Sequence, residues 1–174
     1  MNNNSILYFL PARYFNEEEF FITKNLLEKN KFKSFIASDT WDMCEGTNGK
    51  KFKPDLRLEN INANNFAGFV LIGGYGALDY RNNLNLHKIL NDFNKGGKIV
   101  AAICIAPVIL AASGLLNGKS ATCFSEVKQD LMKPDIEYKD LPVVVAKNII
   151  TANGPKASFE FAESILFLLN KQTR

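Results

Sequence analysis

The sequence carries a single histidine, His87, and only three cysteines, Cys44, Cys104 and Cys123. Three cysteines cannot all pair within one chain, and their spacings match no metal-ligand pattern. With no second histidine to complete a set, structural zinc is disfavoured, no metal is expected, and the cysteine usage suits a reducing compartment. A basic block is missing too: the formal charge of +3 comes from scattered lysines, so nucleic acid is not an expected partner. No apolar run approaches the ~20 residues that span a bilayer. The opening "MNNNSILYFLPARYF" has no basic flank, and its apolar run is too short for a signal-peptide core. A cytoplasmic protein without a membrane segment is the expectation. Repeats, low-complexity tracts and an interdomain linker are also absent, which predicts one domain over residues 1–174.

What is present is an ordinary globular composition, 47% hydrophobic and 22% charged, enough for a sizeable core. "SILYFLPA" reads as a buried strand, and "NEEEFFITKNLLEKN" as a helix capped by Asn16 with acids in its first turn. "KSFIAS" is a second strand; the polar stretch from Asp39 to Asn65 has room for a hairpin and a loop. "FAGFVLIGG" ends a third strand in two glycines, and "LNLHKILNDFNKGG" places Leu86, Ile89, Leu90 and Phe93 on one helical face with His87 beside it. "KIVAAIC" is apolar at nearly every position, as when both faces of a parallel sheet are covered. A short helix, "PVILAASG", follows, then strands around "SATCF", "IEYK", "LPVVVA" and "NIITA", and a final amphipathic helix. Alternating strands and helices predict an α/β fold with a mainly parallel sheet.

Cys104 sits where the fourth strand should turn into a helix. Ligands gather at the carboxyl ends of such strands. A nucleophile elbow needs small residues two positions either side of the nucleophile, and Ala102 and Ala106 supply them. The following helix would turn its free N–H groups toward the sulfur and favour the thiolate. A small buried cysteine that only fills space satisfies the same pattern.

The segment "AAICIAPVILAASGLLNGKSATCF" resembles the nucleophile segment of the ThiJ/PfpI family, also called the DJ-1 superfamily. "FVLIGGYGAL" is similar to that family's double-glycine strand, "FNEEEFF" to its glutamate-bearing first helix and "ANGPKASFEFAESIL" to its final Gly-Pro and helix, in family order along nearly the whole chain. The resemblance implies a flavodoxin-like, class I glutamine amidotransferase-like sandwich with helices on both faces. It implies that Cys104 is the reactive cysteine and that Glu19 contacts its sulfur as a proton donor. It also implies that the Gly73-Gly74 loop and the Ile105 amide form an oxyanion hole, with Phe124, Gly154 and Pro155 at the pocket. Helical spacing agrees on Glu19, which shares a stripe with Ile22 and Leu26, whereas Glu17 and Glu18 align with polar positions and are expected in solvent.

Two positions depart from the family pattern. Where protease-like members carry a histidine after the cysteine, this chain has Ile105, and where the glyoxalase and deglycase type supplies one after the next strand, it has Phe124. His87 is expected as a solvated helix residue, Cys123 as core and Cys44 as an incidental loop residue. A peptidase, which wants a base beside its cysteine, loses support. The leading reading is a cofactor-independent cysteine enzyme for small reactive carbonyls. The alternative is a non-catalytic stress, redox or chaperone-like protein whose Cys104 meets an oxidant. A homodimer is expected from the family, and Phe15, Phe20 and Phe21, spread around Glu19, cannot all face one sheet. They predict either a second copy or cover from the Asp39 to Asn65 stretch.

Overall fold

A computed structural model describes residues 4–172. Its central sheet has seven strands in the order β11-β12-β8-β7-β1-β3-β6: β1 (Ser5–Phe9), β3 (Lys33–Ser38), β6 (Leu56–Arg57), β7 (Gly68–Leu71), β8 (Ile99–Ile103), β11 (Val143–Ala146) and β12 (Ile149–Ala152). Every pairing is parallel except β11 with β12 at one edge. The interior strand β8 is buried at all five positions, the result its unbroken apolar run predicts for a strand covered on both faces. Helices α1 (Glu17–Lys29) and α4 (Ser158–Gln172) pack on each other and on the sheet, and α2 (Leu84–Lys95) packs with α3 (Pro107–Ala112). The fold is the predicted α/β sandwich. No helix among the described residues is long and apolar enough to cross a membrane.

Local sequence accounts for the helix starts. Asn16 accepts from the Glu19 N–H at 3.1 Å and Asn83 from the Leu86 N–H at 2.9 Å, so each helix opens on a side-chain cap. In α2 the predicted stripe of Leu86, Ile89, Leu90 and Phe93 is the buried face. His87 does not stand free in solvent: it is half-buried and its Nε2 lies 2.7 Å from the Arg81 carbonyl oxygen.

The polar stretch after β3 holds the hairpin for which it has room. Strands β4 (Cys44–Gly46) and β5 (Lys51–Phe52) pair antiparallel, and β4 pairs with β2 (Arg13–Phe15). This hairpin settles the three phenylalanines within the chain. Phe52 meets Phe15, Phe20 and Phe21 edge-on at 6.1, 5.2 and 5.5 Å between ring centroids, so a second copy is not needed to cover them. It also corrects two residues. Cys44 is fully buried rather than a loop residue, its Sγ 3.9 Å from the Leu10 carbonyl. Glu17 is buried rather than solvated: its carboxylate accepts from the Asn48 N–H at 2.7 Å and Asn48 Nδ2 at 3.1 Å. Helical spacing locates the face turned to the sheet, and Glu17 faces the hairpin instead.

Candidate active site

Cys104 lies immediately past β8 with φ of +64°, a left-handed conformation that costs a residue with a Cβ of order 1–2 kcal/mol. Neighbouring backbone holds it there. Its N–H donates to the Ala152 carbonyl at 2.8 Å, and its carbonyl accepts from the Phe124 N–H at 2.8 Å. The next turn closes through Ala106 N–H to the Ile103 carbonyl at 3.1 Å, and Pro107 opens α3. This is the strand-to-helix elbow that Ala102 and Ala106 predict, and both alanines are fully buried.

The double glycine at the end of β7 brings the first helix to the elbow. Asn16 N–H donates to the Gly73 carbonyl at 2.9 Å, and Gly73 N–H donates to Glu19 Oε2 at 3.0 Å. A Cβ on Gly73 would lie 2.6 Å from Cys104 Cβ and 2.8 Å from Glu19 Oε2, so only glycine lets the two acids approach. Gly74 has φ of +103°, and a side chain there would strike the Tyr14 carbonyl. Both glycines are thus fixed by close approach and by conformation.

Glu19 is completely buried and interacts with the Cys104 thiol. Burial raises its carboxyl to about 8, while the thiol and the Gly73 N–H pull it down and Glu18 adds to the rise. Oε2 is the acceptor for Gly73, and Oε1 is buried without another partner among the described residues. A protonated carboxyl therefore has Oε1 free to donate toward sulfur. The expected easy thiolate does not follow from the helix end alone, because α3 has only six residues. Burial, and then the adjoining Glu19, push the Cys104 thiol up; the N–H groups of Gly74 and Ile105 pull it the other way. Those two amides are directed at the sulfur. Gly73, expected to join an oxyanion hole, has its N–H committed to Glu19.

Phe124 is half-buried and Ile105 buried, so the two positions where relatives of the family are expected to carry histidine put hydrocarbon beside the elbow. His87 sits in α2 against Arg81 and is not part of the site. A cavity of about 590 Å³ opens next to Phe124, walled by Cys123, Ser125, Asn153, Gly154 and Pro155. Cys123 and Phe124 extend beyond β9 (Lys119–Ala121), which pairs with β10 (Ile136–Tyr138) in a separate ribbon. The cavity therefore includes the three predicted pocket residues, Phe124, Gly154 and Pro155. Six further lining residues were not anticipated: Glu18, Ser125, Tyr138, Asp140, Asn153 and Lys156. Tyr75, directly after the double glycine, donates to Glu126 Oε2 at 3.0 Å; its place in sequence is the one signal that could have marked it.

A parallel α/β sandwich with a left-handed elbow cysteine, a buried glutamate against its thiol and amides from two loops at the sulfur defines a class of cysteine-elbow proteins. The comparisons narrow it: the family model for "DJ-1/PfpI family" matches residues 5–168, and the chain belongs to that family. A Methanocaldococcus jannaschii protein described as uncharacterized is 33% identical over 98% of this chain and 85% of its own. A deglycase of Pyrococcus horikoshii is 29% identical over 92% of this chain and 97% of its own. Among solved structures, the ThiJ/PfpI domain protein of Brachyspira murdochii superposes with a TM-score of 0.94 at 30% identity, covering 97% of this chain and 98% of its own.

Proposed function

We propose that the protein is a cofactor-independent cysteine enzyme that converts small reactive carbonyls, in the manner of a glyoxalase or deglycase. The observation that carries this reading is Glu19 held against the Cys104 thiol with its proton-bearing oxygen free. The thiol proton passes to Glu19 as Cys104 sulfur adds to the aldehyde carbon, the carbonyl π pair moves to oxygen, and the resulting alkoxide is received by the Gly74 and Ile105 amides. Glu19 supplies the proton that makes the hemithioacetal. For a 2-oxoaldehyde, the same carboxyl then takes the proton from the former aldehyde carbon and returns one to the neighbouring carbon, leaving a thioester. Water releases it as the 2-hydroxy acid, so that methylglyoxal plus water gives lactate. The name of the Pyrococcus horikoshii relative as a deglycase supports this substrate class. Three unpaired cysteines suit the cytoplasm as its location.

A second reading rests on the hydrocarbon at Ile105 and Phe124. With no imidazole base, Cys104 would act as a peroxide sensor, oxidised to a sulfinate that receives the Glu19 proton. One experiment separates the two. The purified protein is given methylglyoxal with lactate followed by NMR, and in parallel dilute peroxide with intact mass recorded. Lactate formation lost in Cys104→Ala supports the enzyme. No turnover, with a gain of about 32 Da confined to Cys104, supports the sensor.

A further inference from the structure

We propose that the cavity beside Phe124 is a subsite for an aromatic arm, so that the carbonyl this protein takes is an uncharged aryl 2-oxoaldehyde rather than a bare three-carbon one. This substrate class rests on the carbonyl-enzyme reading of Cys104. Three lining residues tie the cavity to the elbow: Phe124 donates its N–H to the Cys104 carbonyl, Gly154 lies two residues past Ala152, whose carbonyl accepts from the Cys104 N–H, and Glu18 precedes the Glu19 that meets the thiol. Cys104 is only 6% exposed and does not itself line the cavity, so the sulfur admits the small reactive end of a molecule and the cavity takes the rest. At about 590 Å³ the space falls in the range of pockets that hold drug-sized ligands, far more than methylglyoxal fills.

The walls select the arm. Phe124 and Tyr138 are both half-buried along the cavity, and neither ring pairs with another among the described residues, unlike the phenylalanines gathered around Phe52. A Cβ at Gly154 would stand 3.4 Å from Phe124 Cδ2 and 3.9 Å from Cε2, so glycine leaves that flank of the ring bare. Unpaired rings beside bare backbone favour a flat aromatic group, which gains from offset or edge contact beyond the area it buries. Charge then excludes an acidic arm. The charged lining is two carboxylates, Glu18 and Asp140, against the one ammonium of Lys156, on a chain whose formal charge is +3, and an anion there would meet net like charge. Phenylglyoxal follows the same course as methylglyoxal: its aldehyde carbon is oxidised to the acid, its ketone carbon is reduced to the alcohol, and one water is added. Phenylglyoxal plus water thus gives mandelate with no outside oxidant.

Alkylation by bromoketones tests the subsite without any need for turnover. Phenacyl bromide, its cyclohexyl counterpart and bromoacetone are each reacted with the natural chain at alkaline pH, the modified cysteine is mapped by mass, and every rate is divided by the rate with glutathione to remove intrinsic reactivity. Cys104 should prefer phenacyl bromide to bromoacetone by at least about tenfold and to the cyclohexyl ketone by about threefold. Phe124→Leu and Tyr138→Ala, shown to fold by circular dichroism, should each reduce the aryl preference at least about threefold. Steady-state kinetics should follow the same order, with kcat/KM higher for phenylglyoxal than for methylglyoxal. A preference no greater than glutathione's, equal reaction of the aryl and cyclohexyl ketones, full preference retained in both variants, or a label on Cys123 in place of Cys104 overturns the subsite. An alkylation preference without turnover of either aldehyde supports the subsite and overturns the carbonyl enzyme instead.

Discussion

The Phe124 backbone N–H donates to the carbonyl of Cys104 at 2.8 Å, so the residue at which a family histidine is expected is bonded directly to the backbone of the elbow cysteine. Its half-buried ring stands at the cavity edge. Phe124→His would place an imidazole at the elbow without disturbing that bond, and we expect kcat/KM for methylglyoxal to rise by about 10²-fold, the contribution of a positioned general base. Steady-state kinetics decides it; an unchanged rate would mean that hydrocarbon at this position does not limit the chemistry.

Burial raises the Glu19 carboxyl to about 8, and burial together with the adjoining Glu19 pushes the Cys104 thiol up further, so the carboxyl is charged before the thiol ionises. Iodoacetamide alkylation of Cys104 should therefore be slow at neutral pH and climb only well above about pH 8. In Glu19→Gln, where no neighbouring charge opposes the thiolate, the midpoint moves to lower pH, while Glu18→Gln, at an exposed position, leaves it in place. Cys44 and Cys123, at 0% and 1% exposure, should label last in the native protein. Equal labelling of all three would remove the elbow's special status.

The same carboxyl makes stability depend on pH. In the unfolded chain Glu19 gives up its proton near 4.5, whereas in the folded protein it holds it to about 8. The unfolded state binds fewer protons between these values, so this group lowers stability as pH rises through the window. Nothing from it is lost below 4.5, and the full penalty is reached above 8. Glu19→Gln should have a higher Tm than the natural chain at pH 8 and a similar one at pH 4.5, measured by calorimetry. A gap that does not widen with pH would contradict the burial argument.

Gly73→Ala tests the approach of the two acids. The added methyl group would occupy the space between Cys104 Cβ and Glu19 Oε2. We expect a folded protein with lactate formation reduced by at least about 10², as when reacting groups are displaced by an ångström. Retention of full activity would show that the Glu19 contact is dispensable.

Glu17→Ala should destabilise the protein by about 2–3 kcal/mol in urea melts, because it removes a buried carboxylate that accepts charge-assisted bonds from the hairpin at Asn48. Glu18→Ala should change stability by less than about 0.5 kcal/mol. Equal effects would return the acidic run to a plain helix start.

The central strands, the caps of α1 and α2 and the cysteine elbow were legible in sequence because each rests on a short local pattern. Ala102 and Ala106 announce the turn, and the stripe through Ile22 and Leu26 turns Glu19 inward. What was hidden depends on segments that meet only after folding. Glu17 is buried by a hairpin that begins fifteen residues after the end of the first helix, and Cys44 lies in that hairpin, whose own polar sequence reads as exposed. Tyr138 and Asp140 reach the cavity through the β9 and β10 ribbon, and nothing in their neighbourhood marks them. The division of labour in the double glycine, with Gly73 serving the glutamate and Gly74 the sulfur, follows from which amide points where.

The left-handed backbone of Cys104, at φ of +64°, also limits what could ever stand in its place. A side chain branched at Cβ is a genuine outlier in that region, which shuts threonine out of this position whatever its hydroxyl could do. An unbranched residue such as serine fits the same turn, but it brings an alcohol that ionises far less readily than a thiol and has no imidazole at hand to help it. The bend in the chain thus narrows what can stand at this position by shape before acidity enters, and of the unbranched candidates sulfur ionises the more readily.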